Sequence, residues 1–422
     1  MSMFEEKLDC GLIMRSVHNR TDIAKCASFN AEFNGAYEGR TYQCLNTRHP
    51  ALRIEDSYLI EDTSDGGVAA TVCLIPWELD FEGIRLRAAQ LEMVLSHPKY
   101  RRQGLMRRLI TRFIENVSDS GYDLSVIWGI PYYYRQYGYS YCLYGNTYET
   151  LYCDRIPVAV GCTENTYRVR NAEERDISCL TAFYKAASGL TRFHATRDAV
   201  YWAYLLKHAK QPVKIVEDSR GGAVSYLICR IPRGGFVQIF ESGIMDCGIG
   251  LSVLQLLKAG APDGIQVCGP EEGALAKLAK SFGCVSAQPE QWLMHVTHMA
   301  PFIQKLSPVL ERRLAESGYP GFCGEVIINL YRQAVRLRFN EGRLLASEDI
   351  GFKDASMGAD GGDMCIPRDA FVRLLLGFRT LDQLTDAWPD IVVKPEKRSL
   401  FNVLFPIVTS HLYLPYHYMG EV

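Results

Sequence analysis

The sequence holds no Cys-x-x-Cys pair, although it has 14 cysteines. Without paired spacing these thiols build neither a zinc ribbon nor a disulfide framework. Many sit in apolar runs, such as Cys73 in "VCLI" and Cys229 in "YLICRI". That suits buried thiols in a reducing compartment. Charge of one sign is also lacking: the net charge is -2 over 422 residues. This excludes a global attraction to nucleic acid or acidic lipid, so any anion site must be built locally. No apolar run approaches the roughly 20 residues of a membrane span. The start, "MSMFEEKLDC", has neither the basic flank nor the apolar core of a secretory signal. The sequence therefore reads as a cytoplasmic protein with no membrane and no nucleic-acid partner. Two phosphate motifs are missing as well. There is no G-x-x-x-x-G-K-[ST], which excludes a P-loop, and no G-x-G-x-x-G with a following acid, which argues against a dinucleotide fold.

What is present is ordinary in bulk: 48% hydrophobic and 22% charged residues. The length implies two or three domains. In the first 150 residues "LIMRSV" reads as a strand and "RTDIAKCASFNAEF" as a helix. "GVAATVCLIPWELDFEGIRLRAAQLEMVLSHP" reads as three strands, with "DFEG" as a hairpin turn. From Gly104, Leu105, Met106, Leu109, Ile110, Phe113, Ile114 and Val117 recur at helical spacing up to Gly121, and "LSVIWG" is the next strand. This order predicts a mixed α/β layer. "TYRVRNAEERDISCLTAF" at 166–183 repeats the opening "LIMRSVHNRTDIAKCASF", which predicts a second copy of the first domain. Where the copy should carry an arginine-glycine motif it reads "MDCGIGLSV". The pattern changes again near 297–321. The domains expected are 1–150, 151–298 and 299–422, and the apolar, aromatic ending "FPIVTSHLYLPYHYMGEV" reads as docked rather than frayed.

One stretch carries chemistry. Segment 97–112 holds Lys99, Arg101, Arg102, Arg107, Arg108 and Arg112 and no acid. A strand, "LEMVLS", runs into it and a helix begins near Gly104. A helix N-terminus offers free N–H groups and partial positive charge. Glycine lets a phosphate approach the backbone, and arginines add charge-assisted contacts. The stretch reads as a diphosphate cradle: Arg101, Arg102 and Gly104 form the site, and Arg107, Arg108 and Arg112 form a solvated helix face.

The spacing Arg-x-x-Gly-x-small resembles motif A of the GNAT acetyltransferases, with Met106 where that family has Gly or Ala. About thirty residues on, "GIPYYYRQYGYS" at 129–140 resembles the Eis-like subfamily, the enhanced intracellular survival proteins. The resemblance implies tandem GNAT-fold domains, each a mixed sheet with flanking helices, followed by a sterol-carrier-protein-like domain, an α+β chain overall. It implies an acetyl-CoA-dependent N-acetyltransferase acting on small-molecule or peptide amines, polycations such as aminoglycosides foremost, and a homo-oligomer, the family form being a hexamer. Acetyl-CoA would lie on Val94, Leu95, Ser96, Arg101, Arg102, Gln103, Gly104, Leu105, Met106 and Arg107. Aligned on "YGY", the family's catalytic tyrosine falls on Tyr134, a phenol able to protonate the departing thiolate. The general base is open between the Val422 carboxylate, by the family's use of its chain end, and Glu92, on the strand entering motif A. By alternation Glu92 would share a face with Val94 and Ser96. The subfamily's strand histidine is Ile127 here.

Two other readings stay in play. One is a transferase of another acyl or aminoacyl group on the same fold, and the other is an acyl-CoA or lipid-binding protein. His295-x-x-His298 reads as a domain junction rather than a metal pair, His97-Pro98 as loop shaping, and "GADGGD" at 358–363 as a surface turn.

Overall fold

A computed structural model describes residues 4–157, 167–209, 211–232, 235–260, 263–355 and 361–415. The chain opens with seven strands: β1 (Glu5–Lys7), β2 (Leu12–Ser16), β3 (Ser57–Asp62), β4 (Val68–Phe81), β5 (Ile84–Ser96), β6 (Leu124–Ile127) and β7 (Ser140–Tyr144). Helices α1 (Arg20–Asn34) and α2 (Ala36–Arg48) follow β2, and α3 (Leu105–Asp119) joins β5 to β6. Next come β8 (Thr147–Tyr152), β9 (Tyr167–Asn171), α4 (Ile177–Ser188), β10 (Phe193–Ala195) and α5 (Ala199–His208). Strands β11 (Val213–Asp218), β12 (Ala223–Arg230), β13 (Phe236–Ser242), β14 (Gly264–Gly269), β15 (Val285–Ser286) and β16 (Gln291–Val296) complete the middle of the chain.

These strands make two mixed sheets. The first runs β1-β2-β3-β4-β5-β6-β16-β7, with β10 paired to β4, and the second runs β15-β8-β14-β13-β12-β11-β9. Sheet membership therefore does not follow chain order, because β10 and β16 lie after the start of the second sheet yet join the first. A third sheet is formed by Arg343–Asp349, Ala334–Asn340, Gly324–Asn329, Met364–Cys365 and Val392–Val393, in that order. One face of the first sheet packs on α3 through Leu105, Leu109 and Phe113. Its other face shares a large core with α1, α2, the second sheet and the C-terminal helices.

The sequence repeat is built as a repeated clamp. In the first copy Arg15 grips both oxygens of Asp22 at 2.8 Å and donates from Nε to Glu61 on β3 at 2.9 Å. In the second, Arg170 grips both oxygens of Asp176 at 2.6 and 2.8 Å and donates from Nε to Glu217 on β11 at 2.6 Å. Bidentate, charge-assisted pairs of this kind fix a strand against the start of a helix. The parallel pair β5/β6 joined by α3 likewise recurs as the parallel pair β13/β14 joined by the helix Cys247–Lys258.

The segment read as three strands before the motif is two long ones. β4 and β5 pair from Ala70↔Ser96 to Phe81↔Ile84. Glu82 and Gly83 turn between them with φ of 51° and 90°, the left-handed pair of a tight hairpin. Nothing punctuates 68–81, because Pro76 is accommodated within β4, so the hydrophobic pattern had overcounted. The described part of the C-terminal tail is docked. Thr409 accepts from the Arg192 and Phe193 N–H groups, and Leu412 donates its N–H to the Tyr144 carbonyl and accepts from the Trp292 indole. Within "GADGGD", residues 358–360 lie outside the described residues, and Asp363 is engaged by the Ile327 N–H and by Lys394.

Candidate active site

The arginine-glycine stretch folds as the physical reading requires. His97 accepts the Lys99 N–H at 3.0 Å and stacks edge-on to Phe33, which shapes the loop's entry. Arg102 and Gly104 then take left-handed conformations, with φ of 64° and 77°. Gly104 is the N-cap of α3 and supplies no capping side chain. Among the described residues the first N–H groups of α3 therefore have no capping side chain, the arrangement that receives an anion. A Cβ on Gly104 would meet nothing within 4 Å, so the space in front of this backbone is open. Arg101, Arg102 and Gln103 are exposed beside it, while Leu105 is buried in the core and Met106 half-buried. The other basic residues have local tasks. Arg107 donates to Gln136, Arg108 pairs with Glu6, and Arg112 pairs with Glu115 and lies over the Phe4 ring at 4.5 Å.

Strand β5 enters this loop through a bulge. Cys73↔Glu92 and Thr71↔Leu95 are consecutive partners on β4, with one residue between them there and two on β5. Met93 takes up the extra residue at φ 53°, a strained conformation for a side chain with a Cβ. The bulge breaks the alternation expected from sequence. Val94 packs with the α3 face, whereas Glu92 turns to the opposite face, so the two do not share one. There the Trp77 indole donates to Gln90 Oε1 at 2.7 Å, and Gln90 Nε2 donates to Glu92 Oε2 at 2.8 Å. That relay holds the carboxylate in one orientation. Strands β5 and β6 pair only from Ala88↔Leu124 to Gln90↔Val126. Beyond Gln90 they diverge, and the backbone of β5 from Leu91 through Val94, Leu95 and Ser96 loses its neighbour on that side. An unpaired strand edge inside a fold offers N–H groups to a ligand.

Tyr134 sits across this opening. It is 6% exposed, in the short 3-10 helix Tyr133–Tyr137, with Tyr133 edge-on to its ring at 5.1 Å and Tyr139 at 6.2 Å. Tyr139 is held in turn by Ser125 on β6, at 2.7 Å. Burial, and then the Glu92 carboxylate, push the Tyr134 phenol well above its ordinary pKa. The side chain therefore keeps its proton through the physiological range. Its seat depends on Gly129: a Cβ there would lie 2.2 Å from Tyr134 Cε2 and 2.3 Å from Cδ2. Gly129→Ala is accordingly expected to displace the Tyr134 ring, lowering kcat at least tenfold at little cost in acyl-CoA affinity. Steady-state kinetics beside a cofactor titration checks this.

Next to Gly129, Trp128 is 58% exposed and forms one wall of a cavity of about 220 Å³ between the first and second sheets. Trp292, Tyr148, Phe240 and Tyr413 add aromatic walls, and Pro415, the last described residue of the chain, also lines it. Its acid is Glu290, which accepts a hydrogen bond from the Tyr148 hydroxyl. Burial raises the Glu290 pKa, and that hydrogen bond offsets part of the rise. Aromatic faces around one carboxylate make a chamber suited to a cation. Sequence reading missed Gly129, the Trp77–Gln90 relay and Glu290. Only the first had a local signal, a glycine directly ahead of a tyrosine run. Val422 lies outside the described residues. His295 and His298 do not converge: His295 faces the Tyr139 ring, and His298 Nε2 meets Ser118 Oγ. No cluster of metal-ligating side chains occurs among the described residues, and no helix among them is long and apolar enough to cross a membrane.

The second copy closes the equivalent position. Asp246 caps the helix Cys247–Lys258, accepting the Ile249 N–H at 2.8 Å. A carboxylate of the chain thus occupies the helix N-terminus where the first copy leaves it open, so this copy offers no such anion seat.

Residues 21–142 match the model of the acetyltransferase (GNAT) domain family. No curated protein sequence matches the chain. Among solved structures, the chain is similar to an Enterococcus faecalis protein described as a probable N-acyltransferase, with a TM-score of 0.71 at 14% identity, over 96% of this chain and 99% of that one. A GCN5-related N-acetyltransferase from Anabaena variabilis gives 0.68 at 14% identity, over 95% and 99%. Eis1 from Mycobacterium abscessus gives 0.61 at 14% identity, over 95% and 98%. At such identity the likeness is one of fold. Residues 21–142 thus carry a GNAT acetyltransferase domain, and it is this domain that makes the chain an enzyme of the acyltransferase class. Enzymes built on this domain take the acyl group from an acyl-CoA and deliver it to small-molecule or peptide amines.

Proposed function

We propose that this protein is an Eis-like N-acetyltransferase that moves the acetyl group of acetyl-CoA to a primary amine of a polycationic acceptor. The observation that carries the reading is the opening between β5 and β6, which has an uncapped helix N-terminus at one side and a buried, protonated tyrosine at the other. In this reading the N–H groups at Gly104, Leu105, Met106 and Arg107, with Arg101, Arg102 and Gln103, hold the pyrophosphate. The freed edge at Val94, Leu95 and Ser96 holds the pantetheine and steadies the oxyanion. The amine attacks the thioester carbonyl, the tetrahedral intermediate collapses, and Tyr134 gives its proton to the leaving thiolate. The cation-suited cavity beside Trp128 supports an acceptor with several ammonium groups, such as an aminoglycoside or a lysine side chain in a peptide.

Glu92 or the Val422 carboxylate takes the proton from the amine, through water. The Trp77–Gln90 relay favours Glu92, because it fixes that carboxylate beside the opening. We further propose three units, 1–150, 151–298 and 299–422, the last sterol-carrier-like, in a cytoplasmic homo-oligomer. The test pairs Glu92→Gln with a chain lacking Val422, followed by mass spectrometry of amines incubated with acetyl-CoA. With Glu92 as base, Glu92→Gln lowers kcat/KM by about 10² or more and abolishes the acidic limb of its pH profile, while the shortened chain keeps both. The reverse pattern assigns the base to Val422. Transfer to no amine by the wild type contradicts the proposal.

A further inference from the structure

Among the described residues that line the cavity beside Trp128, Glu290 alone carries a charge. Its backbone is pinned on both sides: its N–H donates to Asn146 O and its carbonyl accepts from the Gly145 N–H, each at 2.9 Å. A Cβ on Gly145 would lie 2.9 Å from Trp292 Nε1 and 3.3 Å from Glu290 Cβ, so glycine there seats the indole beside the stem of the carboxylate. Glu290 Oε1 takes the Tyr148 hydroxyl. Its Oε2 has no partner among the described residues and is not sealed from solvent. The buried carboxylates of Glu82, Glu149 and Glu241 are each paired with an arginine or a lysine, and Glu290 has no such pair among the described residues. A half-buried carboxylate that lines a cavity without a counter-ion is short of one cation.

The rest of the wall decides what kind of cation. The polar ends of its rings are already engaged: the Trp292 indole N–H donates to Leu412 O at 3.0 Å, and the Tyr148 hydroxyl proton goes to Glu290. Asn146 Oδ1 belongs to a lining residue but is itself buried. With Trp128 and Phe240, these residues present chiefly ring carbon. A bare ammonium brings three N–H donors, and a donor left unmet against such a wall is costly. An ammonium whose nitrogen is covered by alkyl groups brings few or none. It needs only aromatic surface and one balancing charge. A second positive charge would find no second acid in the lining, so the cavity takes one cation. Trp128 adjoins Gly129, on which the Tyr134 ring rests, so the cavity lies beside the proposed transfer site.

We infer that this cavity binds one N-alkylated ammonium group and that Glu290 is the residue that selects it. The group is the non-reacting end of the amine acceptor, an assignment that rests on the transferase reading of the preceding section. The acceptor class then narrows to a primary amine joined through an apolar linker to a substituted ammonium.

Calorimetric titration of the full chain at matched ionic strength compares three probes: choline, ethanolamine, which has the bare ammonium, and dimethylbutanol, in which carbon replaces choline's charged nitrogen. Two variants accompany it. Glu290→Gln keeps an acceptor for the Tyr148 hydroxyl and removes the charge. Trp128→Leu removes an exposed ring and leaves the carboxylate in place. The expected result is one choline per chain, bound about tenfold or more tighter than either other probe and weakened about tenfold by each variant. In the transfer assay choline raises KM for the amine and leaves KM for acetyl-CoA unchanged. The inference is overturned if choline does not bind at tens of millimolar, if ethanolamine or dimethylbutanol binds as tightly, or if both variants bind choline like the wild type. Inhibition that does not compete with the amine overturns the assignment to the acceptor. A wild type that binds choline as expected yet acetylates no amine removes the transferase reading and leaves the cation site standing.

Discussion

Tyr134→Phe is expected to lower kcat by about 10²–10⁴ while leaving acetyl-CoA affinity within twofold of the wild type. The substitution deletes one hydroxyl and nothing else in the packing. The ring keeps its contacts with Gly129, Tyr133 and Tyr139, so stability should move by no more than about 0.5 kcal/mol. An effect on kcat alone is the signature of an interaction made in the transition state. The pH profile carries a second sign of the same group. A phenol whose pKa is raised by burial stays protonated to higher pH than a free one. An acid catalyst is lost only when it deprotonates, so the wild-type rate should show no alkaline decline up to about pH 10. Stopped-assay kinetics with mass-spectrometric product counting measures both. A thiol-reactive dye is unsuitable in a protein with 14 cysteines.

Acid should unfold this protein before its carboxylates titrate. Burial pushes His49, His295 and His411 each down to about 4 from the usual 6.5. Above pH 6.5 the three are neutral in both folded and unfolded chains and contribute nothing to the pH dependence. Between 6.5 and about 4 the unfolded chain takes up protons that the folded one refuses, so stability falls as pH falls. Each histidine costs about 1.4 kcal/mol per pH unit in that window, and the three together cost about 4. Against a total stability of ~5–15 kcal/mol, unfolding is expected near pH 5. His295→Gln should reduce the slope by about a third. Circular dichroism against pH checks both statements, and a native fold persisting to pH 4 contradicts them.

The parts of the fold legible in the sequence were those with a local physical cause. Helix α3 announced itself by the spacing of Leu105, Leu109, Phe113 and Val117 between two glycines, and all four are buried. The repeat was readable because each copy spends an arginine and an aspartate on one clamp, Arg15 with Asp22 and Arg170 with Asp176. Helix α2 was not seen, because "AYEGRTYQCLNTR" is polar and carries Gly39 in its interior. That glycine answers to tertiary packing: a Cβ there would lie 2.6 Å from Ala27 O and from Ala31 Cβ on α1. The face assigned to Glu92 went wrong for a similar reason. Strict alternation has no place for the extra residue that Met93 absorbs, and nothing in "LEMVLS" marks a bulge. The insertion of β16 between β6 and β7 joins segments more than 140 residues apart, which no local pattern records. The loop at Gly104 and the tyrosine at 134 were visible because each is contained in one short stretch. The Glu290 cavity draws on both sheets and on the C-terminal tail, and so had no signature in any single segment.

A crystal structure with bound coenzyme A measures most directly whether the opening between β5 and β6 is an acetyl-transfer site. The predicted result is a pyrophosphate on the N-terminal amides of α3 at Gly104 and a sulfur within about 3.5 Å of the Tyr134 hydroxyl, within reach of a hydrogen bond to sulfur. A coenzyme bound elsewhere, or one whose sulfur lies beyond about 6 Å from that hydroxyl, contradicts it.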